Sequence, residues 1–441
     1  MLGEPPPEER AVRVVDSLGA EEVRWVEMGG VVFVEGSPRI PIPFHGEEVI
    51  SWATYDDGSI EVNGRAVGQD LTGMSPLQRR KFLDRRRGEL EIIVVRDVSE
   101  VSSRLVDLLD GLAGDDLALT LSGCMAGGID LGQLGRLGPK LVSLDLDPTC
   151  DFEIGIEIDL RAMPSLPRLR ALGVSVDSWE LHATLRGLER LRTLPRLSGL
   201  LLSNIEVDDA ELAQVGGISR LRALTLSRIP VGDAGLAPLR GLSRLRALSL
   251  NGTRVRPADL AHLGALPQLE ELILSRTHVG DAGVARLGGL SRLRVLRLDG
   301  TGVSDAGLAP LAGLSRLTEL NLVGSQVGDA GLAHLSGLTR LEWLDLGNTA
   351  VTSAGLAHLR GLSELRGLGL RLTLVGDGGL AHLRGLSRLQ WLDLSGTQVT
   401  DAGLARLRGL SGLRGVVVGP WSVTDAGIEA FRRRHPRCVV E

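Results

Sequence analysis

Cysteine is scarce in this 441-residue chain. Cys124, Cys150 and Cys438 form an odd, scattered set, which excludes a disulfide framework and any CxxC metal spacing. Lysine is scarcer still, with only Lys81 and Lys140, so nearly all of the 49 basic residues are Arg. That bias, with abundant Gly, Ala and Leu, reads as the codon usage of a GC-rich bacterial genome. Aromatic residues make up 3%. No stretch approaches the ~20 apolar residues that span a bilayer. The first residues, MLGEPPPEER, lack the basic start and apolar run of a secretory signal. The expected location is cytoplasmic, with no membrane partner. The net charge of −6 offers no basic excess for phosphate contacts, so no nucleic acid is expected either. What is present is ordinary: 43% hydrophobic and 24% charged residues, too apolar for a disordered chain.

The chain repeats itself. SGTQVTDAGLARLRGL at 395–410 has near-copies in NGTRVRPADLAHLGAL, SRTHVGDAGVARLGGL, DGTGVSDAGLAPLAGL, VGSQVGDAGLAHLSGL and GNTAVTSAGLAHLRGL. Thr253, Thr277, Thr301, Thr349, Thr373 and Thr397 recur on a 24-residue period, with Ser325 filling the gap. Each sits in the frame LxxLxLxxTxV, whose Leu-x-Leu pair has strand periodicity and faces one side. An Asp follows at 233, 281, 305, 329, 377, 401 and 425, with Ser353 once in its place. Asp is a strong helix N-cap, and the succeeding Leu-x-x-Leu has helical spacing. Gly241, Gly313, Gly361, Gly385 and Gly409 fall where a left-handed C-terminal cap is expected. A glycine inside the helix, such as Gly403, implies close approach of helix and strand backbones. One strand and one short helix cannot bury this many leucines alone, but stacked units share a continuous core.

LxxLxLxxTxVxDAGLxxLxxL resembles the leucine-rich repeat family, in its 24-residue bacterial form with Thr at the usual Asn position. The resemblance covers roughly residues 190–441. It implies an α/β fold: a right-handed, curved solenoid with a parallel concave sheet and short convex helices. It also implies that Thr253, Thr277, Thr301, Ser325, Thr349, Thr373 and Thr397 form a side-chain ladder to the turn backbone of the next coil. Regular repeats are expected over 194–441, closed at the C-terminal end by HPRCVVE with Phe431 over the last apolar face. Divergent repeats are expected over 89–193. Residues 1–88 read as a small α+β module or cap, with strands in VVFVEG, VISWAT and SIEVNG, a turn at Asp57-Gly58, and helices in PEERAVRVVDSLGA and SPLQRRKFLDRRRGE.

In this family partners bind the concave face, whose exposed columns are legible. The first runs Ala247, Glu271, Val295, Glu319, Trp343, Gly367, Trp391, Gly415; the second Ser249, Ile273, Arg297, Asn321, Asp345, Gly369, Asp393, Val417; the third Asn251, Ser275, Asp299, Val323, Gly347, Arg371, Ser395, Gly419. Trp343 and Trp391 share a column two coils apart. Standing ~10 Å apart over a Gly367 floor, beside Asp345, Asp393 and Arg371, they form a pocket for an Arg or Lys side chain. The alternative is that they lie flat on neighbouring strands and shield the sheet. Glu319, Arg297 and Asp299 extend the candidate surface.

Other features read as structural. His334, His358 and His382, with His262, form a column on the convex side without a completing carboxylate or Cys, so no metal is expected. The acidic run of Asp145, Asp147, Asp151, Glu153, Glu157 and Asp159 fails the EF-hand pattern, leaving an irregular acidic loop or a weak cation site. SGCMAGG lacks the Lys-Ser/Thr of a phosphate-binding loop. The Arg79–Arg87 clusters read as a solvated helix face or a dock for an acidic partner or nucleic acid. The expected function is a monomeric, non-catalytic scaffold without cofactor that binds a protein or peptide through its concave face. Two alternatives differ in class: a catalytic or adaptor activity in residues 1–88 directed by the repeats, or a structural protein that self-assembles through open solenoid ends.

Overall fold

The computed structural model describes residues 131–148, 156–176, 183–419 and 422–440, and upstream of these the strands at 24–28, 31–35, 42–43, 52–54, 59–62, 65–70, 90–95 and 113–123 together with 106 and 110. The expected N-terminal helices, the Arg79–Arg87 clusters and Cys124–Gly128 lie outside the described residues. The chain divides into two compact units, one of residues 1–230 with 244–247 and one of residues 231–243 with 248–441.

In the first unit, Arg24–Met28, Val31–Glu35 and Ile42–Pro43 make a small antiparallel sheet. Trp52–Thr54 pairs antiparallel with Ser59–Val62, and that strand with Arg65–Asp70. Arg65–Asp70 then pairs parallel with Leu90–Val95. The ladder continues through Ala113–Gly123, Leu141–Pro148, Ala171–Ser175, Gly199–Ser203 and Ala223–Ser227. The N-terminal hairpin is therefore the antiparallel end of the parallel sheet. Ile156–Asp159, expected as irregular acidic loop, is a strand paired with Ala183–Arg186. Apolar Ile156 and Ile158 point inward, while Glu157 pairs with Arg186 at 3.2 Å and Asp159 with Arg161 at 2.8 Å. The Arg161 guanidinium holds the Asp159 carboxyl below its ordinary pKa.

The second unit is regular. Glu271–Ile273, Val295–Arg297, Glu319–Asn321, Trp343–Asp345, Gly367–Gly369, Trp391–Leu394, Gly415–Val418 and Val439–Val440 pair in parallel. One coil illustrates the core: Leu293, Leu296, Leu298, Val303, Leu308, Leu311 and Leu314 are all fully buried. At roughly 1.5–3 kcal/mol for each buried aliphatic side chain, this burial is the main force that condenses a coil on its neighbours. The last strand is preceded by the helix Asp425–Arg432, with Phe431 buried and stacked on His435 at 4.4 Å between ring centres. Burial lowers the His435 pKa and pushes the Cys438 thiol up to about 11, which keeps that thiol protonated and inert.

Three local expectations are corrected. First, the threonines do not reach the next coil. Each hydroxyl donates within its own coil, to the carbonyl three residues earlier: Thr253 to Leu250 at 2.6 Å, Thr301 to Leu298 at 2.5 Å, Thr349 to Leu346 at 2.6 Å, with Thr277, Thr373 and Thr397 alike. Ser325, lacking the methyl that fixes the rotamer, has no partner for its hydroxyl among the described residues. The link between coils comes from the residue before each of these, whose backbone is left-handed: Arg276, Gly300, Gly324, Asn348 and Leu372. Their N–H groups donate to the carbonyls of Asp299, Val323, Gly347, Arg371 and Ser395 in the following coil, at 2.7–2.9 Å.

Second, the repeated Asp is a residue of the first helical turn rather than the cap. Extended Ser304, Gly328, Thr400 and Thr424 occupy the cap position. The carboxylate instead grips the cap residue of the next coil. Asp281 accepts from the Ser304 N–H and hydroxyl at 2.8 and 2.6 Å, Asp377 from those of Thr400 at 2.7 Å each, and Asp401 from those of Thr424 at 2.8 and 2.7 Å. This explains the helix glycine. A Cβ on Gly307, Gly331, Gly403 or Gly427 would sit 2.1–2.5 Å from the preceding coil's Asp Oδ1, so the space belongs to a carboxylate and not to a strand.

Third, Gly241, Gly313, Gly361, Gly385 and Gly409 are the last residues of tight 3₁₀ turns and are not left-handed. The turn closes by Leu314 N–H to Leu311 and Ser315 N–H to Gly313, both 2.9 Å, which needs no positive φ.

Two expectations follow. Gly331→Ala displaces the Asp305 carboxylate and lowers stability by about 1–3 kcal/mol, whereas Gly313→Ala, facing open space, leaves the urea midpoint nearly unchanged. The Thr424 hydrogen bonds hold the Asp401 carboxyl below its ordinary pKa. The stability it contributes is complete above the unfolded value of about 3.9 and is lost as pH falls through the folded value. The difference in urea midpoint between wild type and Asp401→Asn therefore closes as pH drops below about 4.

Candidate functional site

The sequence columns are the register of the sheet. Glu319 pairs with Trp343, Trp343 with Gly367, Gly367 with Trp391 and Trp391 with Gly415; Arg297, Asn321, Asp345, Gly369 and Asp393 follow in the same way. Inward leucines fix these strands, but the columns expected to be exposed are only partly so: Ala247, Ser249, Ile273 and Asn321 are buried by their neighbours, and Trp343 is the most open residue of these strands.

The two indoles do not stand over an open floor. A Cβ on Gly367 would lie 2.0 Å from Trp343 Cε3, and one on Gly415 would lie 2.3 Å from Trp391 Cε3. Each tryptophan thus lies across the glycine of the next strand, and the expected slot above Gly367 is filled by Trp343. The missing glycine side chains make this tiling possible. The result is an apolar strip over four consecutive strands, roughly 15 Å long at the usual strand spacing. Trp343 is 46% exposed, and Val439, register partner of Gly415, extends the strip at 42% exposed.

The polar candidates flank the strip. Asp345 Oδ1 accepts from the Gly347 N–H at 3.0 Å, and Asp393 Oδ1 from the Ser395 N–H at 2.8 Å and hydroxyl at 2.6 Å. These bonds hold both carboxylates toward the downstream edge of the sheet. Arg371 is exposed in the third column. Arg297 Nε donates to Glu319 at 2.9 Å, and Asp299 accepts from Ser275 Oγ at 2.5 Å. Leu372 and Leu374 went unnoticed in the sequence, yet both are more than half exposed, and Leu372 takes the left-handed conformation with φ 55°. The signal was available: Leu372 stands where other coils place Gly252, Gly300, Gly324, Asn348 and Gly396. On the helix side Arg360 contacts His382; burial, then the Arg360 charge, lowers the His382 pKa. Among the described residues no His, Cys, Asp and Glu cluster could hold a metal. No helix among them is long and apolar enough to cross a membrane.

A family model described as Leucine Rich repeat matches residues 315–336. The fold is similar to the crystal structure of an internalin (inlF) from Listeria monocytogenes, with a TM-score of 0.53 at 23% identity, covering 77% of this chain and 88% of that one. The chain is a leucine-rich repeat protein. An internalin C2 (inlC2) from the same organism is 31% identical over 48% of this chain and 84% of its own, with a TM-score of 0.39. No curated protein matches the chain. The repeat motif and solenoid support a protein-interaction scaffold in general terms.

Gly367→Ala tests the tiling. The Trp343 ring must lift, so its acrylamide quenching, isolated by difference against Trp343→Phe, rises. Stability falls by less than about 1 kcal/mol, because a half-exposed ring has room to move.

Proposed function

We propose that this leucine-rich repeat protein is a scaffold without catalysis of its own that binds an extended protein segment along the outer sheet face of its second unit. The observation that carries the reading is the strip of Trp343 and Trp391 laid flat over Gly367 and Gly415. Aromatics are rare in the chain, and rigid indoles anchored on a preformed surface lose little conformational freedom on binding. Each flat ring offers one face to solvent. An Arg or Lys of the partner placed over that face gains a cation–π contact of about 0.5–2 kcal/mol. Asp345 and Asp393 lie in the next column and add ion pairing. This replaces a side chain sandwiched between two standing rings with one stacked on a single ring. Glu319, Arg297, Asp299 and Arg371 set charge around the strip.

The test is a pull-down from source lysate with wild type and with Trp343→Ala/Trp391→Ala as baits, both shown to be folded by circular dichroism. Capture by wild type that falls at least tenfold with the double variant supports the strip as the contact surface; two hot-spot aromatics carry ~2 kcal/mol or more each. Equal capture by both baits overturns it.

A further inference from the structure

A second surface runs along the upstream margin of the same sheet, one residue before the tryptophan column. A groove of about 660 Å³ opens there, lined by Arg294, Arg316, Thr318, Thr339, Arg340, Glu342, Ser363 and Glu364. Its residues come from two positions of the repeat. Arg294, Thr318 and Glu342 precede the strands, while Arg316, Arg340 and Glu364 sit in the turns two residues earlier. Backbone bonds of 2.7–2.8 Å from Thr318 N–H to Arg294 and from Glu342 N–H to Thr318 fix the coils in register beneath them.

The charges are unequally satisfied. Glu342 pairs with Arg366 at 3.3 Å, and Glu364 pairs with Arg388. Arg294, Arg316 and Arg340 are exposed, and among the described residues none has an acidic partner. Counting the groove with these neighbours, five Arg against two Glu leaves +3 in a chain whose net charge is −6. Thr318 Oγ1 donates to the Arg294 carbonyl at 3.1 Å, whereas the hydroxyls of Thr339 and Ser363 have no partner among the described residues. Guanidiniums at successive coils, about one strand spacing apart, with hydroxyl donors between them, are built to receive several carboxylates in a row.

We infer that this margin binds an acidic, extended segment of a partner protein, its Asp or Glu side chains meeting Arg294, Arg316 and Arg340. The inference rests on the reading of the sheet face as a protein-binding surface and names the chemistry of the segment beside the strip. Carboxylates fit better than a nucleic-acid backbone because Glu342 and Glu364 line the same groove. They would oppose an unbroken phosphate row, while a peptide can place its own N–H groups and neutral side chains beside them.

The experiment uses the full chain and two fluorescein-labelled peptides, one alternating glutamate and serine and one alternating lysine and serine, read by fluorescence anisotropy. Binding of the glutamate peptide is expected, weakening as salt rises. In the triple variant Arg294→Gln/Arg316→Gln/Arg340→Gln it weakens by about tenfold or more, and the corresponding Lys variant recovers part of the loss. Absence of binding at millimolar peptide, preference for the lysine peptide, an unchanged affinity in the triple variant, or tighter binding of a single-stranded oligonucleotide each overturns the inference. Trp343→Ala/Trp391→Ala separates the two readings. If the glutamate peptide still binds this variant and is lost only from the arginine variant, the groove stands on its own. Loss of binding with the tryptophan variant alone removes the groove and leaves the strip.

Discussion

Between consecutive coils of the second unit the chain makes one joint, over and over. On the sheet side, a left-handed residue after each strand turns its N–H toward the carbonyl of the coil ahead. On the helix side, an aspartate of the first turn holds the cap residue of that same coil by its backbone and hydroxyl. Hydrophobic burial supplies the energy but is indifferent to small slips, because leucine against leucine packs tolerably at several offsets. Hydrogen bonds are directional and expensive to leave unmade. The joint therefore converts a sticky stack into a lattice with a fixed 24-residue step, and every outward side chain inherits its position from that step.

The layout of the outward sheet face follows from it. The outward residues of the three-residue strands do not hold the coil together, so they are free to differ. The same independence lets a glycine occupy two positions in the tryptophan column, and those glycines allow the indoles to lie down. A larger residue at either place would keep the ring off the sheet, with more mobile edge and less flat face. The flanking carboxylates are steadied by their own turns. The posture of these outward side chains is decided one coil away.

Much of this was readable beforehand, for a physical reason. A period imposed by a lattice must appear in the sequence, so the strands, the buried leucines, the register of the outward columns and the burial of Phe431 could be assigned from spacing and residue type. What spacing cannot show is the direction in which a side chain leans. Thr301 and its equivalents sit where the resemblance placed them but bond to their own coil. Asp281 and its equivalents occupy a position that suits a cap yet serve the neighbour. Trp343 was placed in the correct column, but spacing left a standing and a flat posture both open, and the structure takes the flat one. Gly313 and Gly300 look alike in a string of letters, but only the second is left-handed. In the first unit, Ile156–Asp159 was hidden because its acidic outer face masked a short apolar alternation.

The pairing of Asp281, Asp305, Asp329, Asp377 and Asp401 with a vacant glycine in the coil ahead makes the array polar, like a polymer with distinguishable head and tail. A coil's identity is only half its own; the rest is an agreement with its successor. Where Ser353 replaces the aspartate, Gly379 meets the shorter side chain at 3.0 Å and the agreement is kept with a smaller partner. Where Pro257 stands in the same frame, Gly283 has no carboxylate to accommodate. Repeats of this kind can be duplicated or deleted in tandem without mismatch, because a cut at any one phase joins a compatible head to a compatible tail. Inverting or shuffling single coils that depart from the motif breaks the match on both sides. The unit of inheritance along the solenoid is accordingly the joint, and not the repeat that the eye first picks out.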